Sequence, residues 1–187
     1  MHSQAVQGGF TTPPIESARA FRSIMNAIAK PGQIFDLTGA VAPAPFSQAA
    51  ATVVLTLCDP ETPIALLGDH NTQITRDWVT FHTGAPITEA TGAQFVIGTW
   101  AEMIPLDRFA IGDAQYPDRS ASLIVDNATI ENHGAMLSGP GIQTQIEFSL
   151  PDTGVFKENA RLFPLGLDFF FCSGNSIAGL PRSTKID

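Results

Sequence analysis

The sequence predicts an α/β fold, with a mixed α+β arrangement as the nearest variant, built around a central mixed sheet. Three observations carry this. Helix-period segments fill the first half of the chain, short apolar runs bounded by Gly and Pro alternate with them, and after Pro117 strand-like pieces follow one another closely.

Thr12-Pro13-Pro14 fits a helix start, and Phe21, Ile24, Met25 and Ile28 then recur at helical spacing, with Phe21 and Ile24 read as core positions. Lys30-Pro31-Gly32 ends that helix. Ser47 caps a second one, in which Ala50, Val53, Val54 and Leu57 share a face before Asp59-Pro60 stops it. Pro43-Ala44-Pro45 links the two. Pro63 to Leu67 is an apolar run closed by Gly68 and predicts a buried strand. A weaker helix is expected from about Thr75 to His82, then a strand over Gln94 to Ile97 ended by Gly98. Ser122 to Val125, Ala135 to Leu137 and Gln145 to Leu150 read as short strands separated by Asn127, Gly134 and Gly139-Pro140-Gly141. Phe156, Ala160 and Leu162 suggest a short helix. The run Phe169-Phe170-Phe171-Cys172 predicts a strand buried on both faces, before a loop at Ser173-Gly174-Asn175.

The 187 residues are read as one domain, 1–187, with no repeat or heptad. Eighteen acidic residues against ten basic ones give a net charge of -8, which excludes a nucleic-acid binder, because displacing counterions from phosphates needs a basic face. No apolar run is long enough to cross a membrane, and Met1-His2-Ser3-Gln4 lacks a signal peptide's basic and apolar regions, so a cytoplasmic location is expected. Only 15% of the residues are charged, against about 25% in an average soluble domain. Some of the surface is therefore expected to be covered by another protein. Cys58 and Cys172 read as small buried hydrophobes.

Four histidines, at positions 2, 70, 82 and 133, lack His-x-x-x-His or Cys-x-x-Cys spacing, so no metal site is predicted. Asp69-His70 and Asn132-His133 could join one only through space. Gly-x-Ser-x-Gly is absent, and Gly139-Pro140-Gly141 reads as a turn, since no Gly-Lys-Ser/Thr follows to make a phosphate loop. Arginine anion binding is the chemistry left, because guanidinium groups pair bidentately with phosphate or phosphonate oxygens. The candidates are Arg22, Arg119 and Arg182, each with a salt bridge or a solvated charge as the plainer reading.

Seven segments in order resemble the PhnH family, the H subunit of the bacterial carbon-phosphorus lyase system. They are Phe21 to Gly32, Leu57-Cys58-Asp59-Pro60-Glu61-Thr62-Pro63, Phe95-Val96-Ile97-Gly98-Thr99, Tyr116 to Ile124, Leu137-Ser138-Gly139-Pro140-Gly141-Ile142, Phe163-Pro164-Leu165-Gly166-Leu167-Asp168 and Leu180-Pro181-Arg182-Ser183-Thr184. The resemblance implies a cytoplasmic core complex with the G, I and J subunits. There the I subunit, helped by G, H and an L protein, replaces the adenine of ATP with a phosphonate, giving α-D-ribose 1-methylphosphonate 5-triphosphate. The J subunit, an iron-sulfur radical enzyme, later breaks the carbon-phosphorus bond. It also implies a three-layer fold like a reduced pyridoxal-phosphate transferase, with no catalytic residue assigned.

Pyridoxal-phosphate enzymes hold their cofactor on a lysine. Lys30 stands at a helix end, Lys157 in a short helix and Lys185 beside the C-terminus, so no cofactor is predicted. The leading expectation is an accessory subunit, not catalytic alone. The alternatives are a stand-alone phosphate- or phosphonate-ester binding protein or enzyme with arginine clamps, and a structural homodimer that forms when the chain is isolated.

Overall fold

Pro13 and Pro14 need no N–H partner at a helix start, and the computed structural model, which describes residues 6–187, begins its first helix there, α1 (Pro13–Ala29). His2, and the Met1 to Gln4 segment read for a leader, lie outside the described residues. Thr12 supplies no side-chain cap; its N–H donates to the Glu16 carboxylate instead. A short strand that the sequence reading lacks, β1 (Ile34–Asp36), follows. Then comes α2 (Gln48–Leu57), where Ser47 Oγ accepts the Ala50 N–H at 3.1 Å as expected of a cap.

The chain continues through β2 (Ile64–Leu66), α3 (Gln73–Thr83), β3 (Phe95–Gly98) and the one-turn α4 (Trp100–Met103), the last also unforeseen. α3 starts two residues before Thr75 because Thr72 caps it. Next are β4 (Ser122–Val125), β5 (Ala135–Ser138), β6 (Ile146–Phe148), α5 (Thr153–Arg161), β7 (Asp168–Ser173), β8 (Ser176–Leu180) and β9 (Lys185–Ile186). The Ser173-Gly174-Asn175 loop is the turn of a β7–β8 hairpin, with Ser173 and Ser176 paired across it.

Six strands form a mixed sheet in the order β1-β8-β7-β4-β3-β2, in which β7, β4, β3 and β2 run parallel and β8 alone runs against them, pairing antiparallel with β7 on one side and with β1 on the other. β6, β5 and β9 make a second, antiparallel sheet, so the β-rich stretch after Pro117 divides between two sheets. Gly139-Pro140-Gly141 turns from β5 toward β6. Gly141 has φ +84° and lies so close to α1 that a Cβ would sit 2.0 Å from the Ala29 carbonyl oxygen.

Alternation along the strands builds a core on each face of the large sheet. Ile64, Leu66, Ile97, Ile124, Phe170 and Cys172 point to a core shared with Ile24 of α1, Val53 and Val54 of α2 and Trp78 of α3. Ala65, Val96, Leu123, Val125, Phe169 and Phe171 point to the other, shared with Met103 of α4, Phe156 of α5, and Leu137 and Phe148 of the small sheet. This is the three-layer arrangement expected. In the second core Phe156 lies 4.9 Å from Phe169 and 4.8 Å from Trp100, between ring centroids. Each such pair adds about 1 kcal/mol beyond area burial.

Phe21 corrects the sequence reading. It is 49% exposed and Met25 46%, while Ala20, Ile24 and Ala27 face the core. Helix α1 is apolar on two faces, and periodicity alone cannot say which one is buried. Both cysteines are buried in the first core and unpaired; burial pushes the Cys58 thiol up to about 12 and the Cys172 thiol well above its ordinary value. No helix among the described residues is long and apolar enough to cross a membrane.

Candidate functional site

Two successive crossovers define the carboxyl ends of the parallel strands. From β2 to β3 the chain passes through α3 on one face, and from β3 to β4 through α4 on the other, while both steps move the same way across the sheet. The chain therefore leaves β2 and β3 toward opposite faces of the sheet, which opens a gap between their carboxyl ends. In this chain a carboxylate fills it. Glu102 Oε2 accepts the Thr99 N–H at 2.8 Å and Oε1 accepts the Asp69 N–H at 3.1 Å, tying the ends of β2 and β3 together. Burial alone would raise the Glu102 carboxyl, but the hydrogen bonds from Thr99 and Asp69 outweigh it and hold the group below its ordinary value.

One strand further on, Asp126 follows β4 and is buried. Its Oδ2 accepts the Ser47 N–H at 2.9 Å and lies 3.0 Å from His70 Nε2; its Oδ1 accepts the Asn127 N–H at 2.8 Å. Asn127 takes φ +55°, a left-handed conformation that asparagine tolerates better than most residues. His70 is packed edge-on against Phe46, with ring centroids 5.3 Å apart, and its Nδ1 is buried without a partner among the described residues. We assign the imidazole proton to Nε2, where it donates to the carboxylate; an N–H at Nδ1 would be a buried donor with nothing to meet. The pair joins the end of β4, the turn after β2 and the start of α2, and solvent reaches neither side chain.

Beside Asp126 a cleft of about 520 Å³ opens between Thr99, Trp100 and Ala101 after β3, Asn127 to Thr129 after β4, and Ser149 to Pro151 after β6. That volume suits a small molecule. Its walls carry hydroxyl, amide and apolar groups with the buried Asp126 behind them, and no Lys, Arg or His. Ser149 is already engaged, since its Oγ donates to the Thr129 carbonyl at 2.8 Å and accepts the Glu131 N–H at 3.0 Å.

The three predicted arginines lie elsewhere. Arg22 is exposed on α1. Arg119 and Arg182 flank Ser120 at the opposite, amino end of the parallel strands. Arg119 is exposed over the Tyr116 ring, 3.9 Å from its centroid. Arg182 is largely enclosed: Nε donates to Asp168 Oδ1 at 3.1 Å, Nη2 to Asp168 Oδ2 at 2.5 Å and to Ser120 Oγ, and Nη1 to the Pro117 carbonyl at 2.8 Å. The structure thus brings Arg119 and Arg182 near one strand end, leaves Arg22 on the helical layer, and spends most of the Arg182 donors on the protein itself.

Residues 8–187 match the family model described as bacterial phosphonate metabolism protein (PhnH). The chain belongs to this family. It is 36% identical to the α-D-ribose 1-methylphosphonate 5-triphosphate synthase subunit PhnH of Rhizobium meliloti (strain 1021), over 99% of this chain and 97% of the relative. It is 26% identical to the putative C-P lyase subunit protein HtxG of Stutzerimonas stutzeri, over 90% and 84%.

In this PhnH-family chain none of the three lysines lines the cleft. Lys30 is at the end of α1, while Lys157 and Lys185 meet in a shallow depression between α5 and β9. The residues at the strand ends therefore do not fit a cofactor held as a Schiff base. His133 pairs with Glu131 on the surface, and no group of three metal-ligating side chains exists among the described residues. The sequence reading missed the His70–Asp126 pair and Glu102. A signal was present, since Asp126 directly follows the apolar run Ser122 to Val125, where parallel strands deliver their functional groups.

Proposed function

We propose that this PhnH-family chain is an accessory subunit of a carbon-phosphorus lyase core complex. In this reading it supports transfer of a phosphonate to the ribose C1 of ATP, with loss of adenine, and works beside the G, I and J subunits in the cytoplasm. The observation that carries the reading is the near full-length relative whose name is that of a subunit of α-D-ribose 1-methylphosphonate 5-triphosphate synthase. The cleft supports an accessory role. A triphosphate and a phosphonate need cationic partners, and its walls offer none, so the charged reactants meet their neutralising groups on other subunits. The whole chain acts as one domain, a reduced pyridoxal-phosphate-transferase-like fold working without that cofactor, and it pairs with itself when its partners are missing.

Co-expression with the G, I and J subunits tests this. A stable complex that includes the chain, with ribosylation lost when the chain is omitted, is expected; undiminished ribosylation without it would sink the reading. The second reading, a stand-alone anion binder, draws on Arg22 and Arg119, both exposed and without a carboxylate partner among the described residues. Saturable binding of ATP or methylphosphonate by the isolated chain, abolished by Arg22→Ala or Arg119→Ala, would favour it.

A further inference from the structure

An apolar groove of about 530 Å³ runs between α5 and the turn Leu106–Arg108, on the face of the sheet that carries α4 and α5. Phe109 and Leu167 form a buried floor, and Leu106, Ile111 and Val155 line the sides. Ile104 and Leu162 form an exposed apolar rim, 41% and 45% accessible, and the apolar surface continues past it to Phe163, which is 60% exposed. An apolar surface that spreads beyond its own groove is larger than a small ligand needs, and is the mark of a protein-binding face.

Two carboxylates stand over this groove, Asp107 on the turn and Glu158 on α5. Both are exposed, and neither forms an ion pair or side-chain hydrogen bond among the described residues. The nearby cations do not neutralise them. Arg108 donates to the Glu102 carbonyl and lies over the Phe109 ring, while Lys157 and Arg161 line the depression on the other side of α5 with Lys185. The groove is apolar below and negative above.

We propose that this groove docks a segment of a partner subunit that inserts an apolar side chain between Leu106 and Val155 and presents a lysine or arginine to Asp107 and Glu158. A second copy of this chain is the wrong occupant. A two-fold contact through the groove would set these carboxylates against the same pair in the other copy, within a chain whose net charge is already -8.

The inference rests on membership of the complex proposed above, and one experiment separates the two. The wild-type chain, the double variant Asp107→Lys/Glu158→Lys, and Phe21→Ser on the opposite layer are each assembled with the G, I and J subunits. Incorporation is quantified, and amide exchange is compared between free and assembled chain. Wild type and Phe21→Ser should join fully, with protection at 104–111 and 153–163, while charge reversal should cut affinity by about tenfold or more. Reversing exposed carboxylates leaves both cores intact, and unchanged circular dichroism of the free variant verifies it. Full incorporation of the charge-reversed chain, or protection confined to α1, would overturn the groove while leaving the complex standing. Failure of the wild type to join would overturn both.

Discussion

Asp126 accepts from His70 at 3.0 Å and from the N–H of Ser47, the cap of α2, at 2.9 Å, in a place that water does not reach. Removing one member of such a pair strands the other. Asp126→Ala is expected to cost about 3 kcal/mol or more in urea unfolding, and a double replacement by apolar residues, His70→Leu/Asp126→Leu, to cost less than the two single changes added together. Additivity in that cycle would mean that the two side chains do not act as a unit.

Gly68 and Glu102 form a second coupled pair. A Cβ at Gly68 would lie 1.5 Å from Glu102 Oε1, and the backbone there has φ +47°. Gly68→Ala must displace a carboxylate pinned by two N–H groups, as well as bear about 1 kcal/mol of backbone strain. Glu102→Ala should recover the steric part but not the strain. Thermal unfolding of both single variants and the double reads this directly; no recovery would mean that the carboxylate moves aside freely.

The pH dependence of stability has a definite sign at His82. Burial, outweighing a hydrogen bond to the Gln7 backbone, pushes the ring below its ordinary 6.5, so the unfolded chain takes up this proton first. The stability contributed by the neutral ring is fully present above about 6.5 and is lost as pH falls through the folded value. Glu102, held below 4.5, adds a second loss at lower pH. Denaturation midpoints between pH 7.5 and about 5 should fall for the wild type and flatten for His82→Phe. Equal slopes would assign the loss to other groups.

Neighbouring positions on α1 should respond in opposite ways. Ile24→Ala opens a hole in the first core, at a cost of about 3 kcal/mol, whereas Phe21→Ser touches only exposed surface and should stay within about 0.5 kcal/mol. Denaturant titration of the two variants checks that Ile24 is in the core, as periodicity suggested, and that Phe21 is not.

The fold was legible where a local pattern and burial agree. Ser47 at the start of α2, the Pro63 to Leu67 run and the aromatic run at 169–171 each carry a signal that tertiary contacts reinforce. β1 escaped notice because Ile34–Asp36 is a three-residue edge strand that pairs with β8 alone, and α4 because a single turn has no period to detect. The candidate site was less legible for a different reason. His70 and Asp126 are 56 residues apart, and nothing near either one announces the other. Arg182 stood out as a lone cation, and only the folded chain reveals that Asp168 already claims it.

Strand β7 sends Phe170 and Cys172 into one core and Phe169 and Phe171 into the other. There is consequently no seam in the sheet along which the molecule could divide into a stable half and a loosened one. A defect introduced beneath α2 is transmitted through a single backbone to the aromatic packing under α5, and heating is expected to remove both layers in one step.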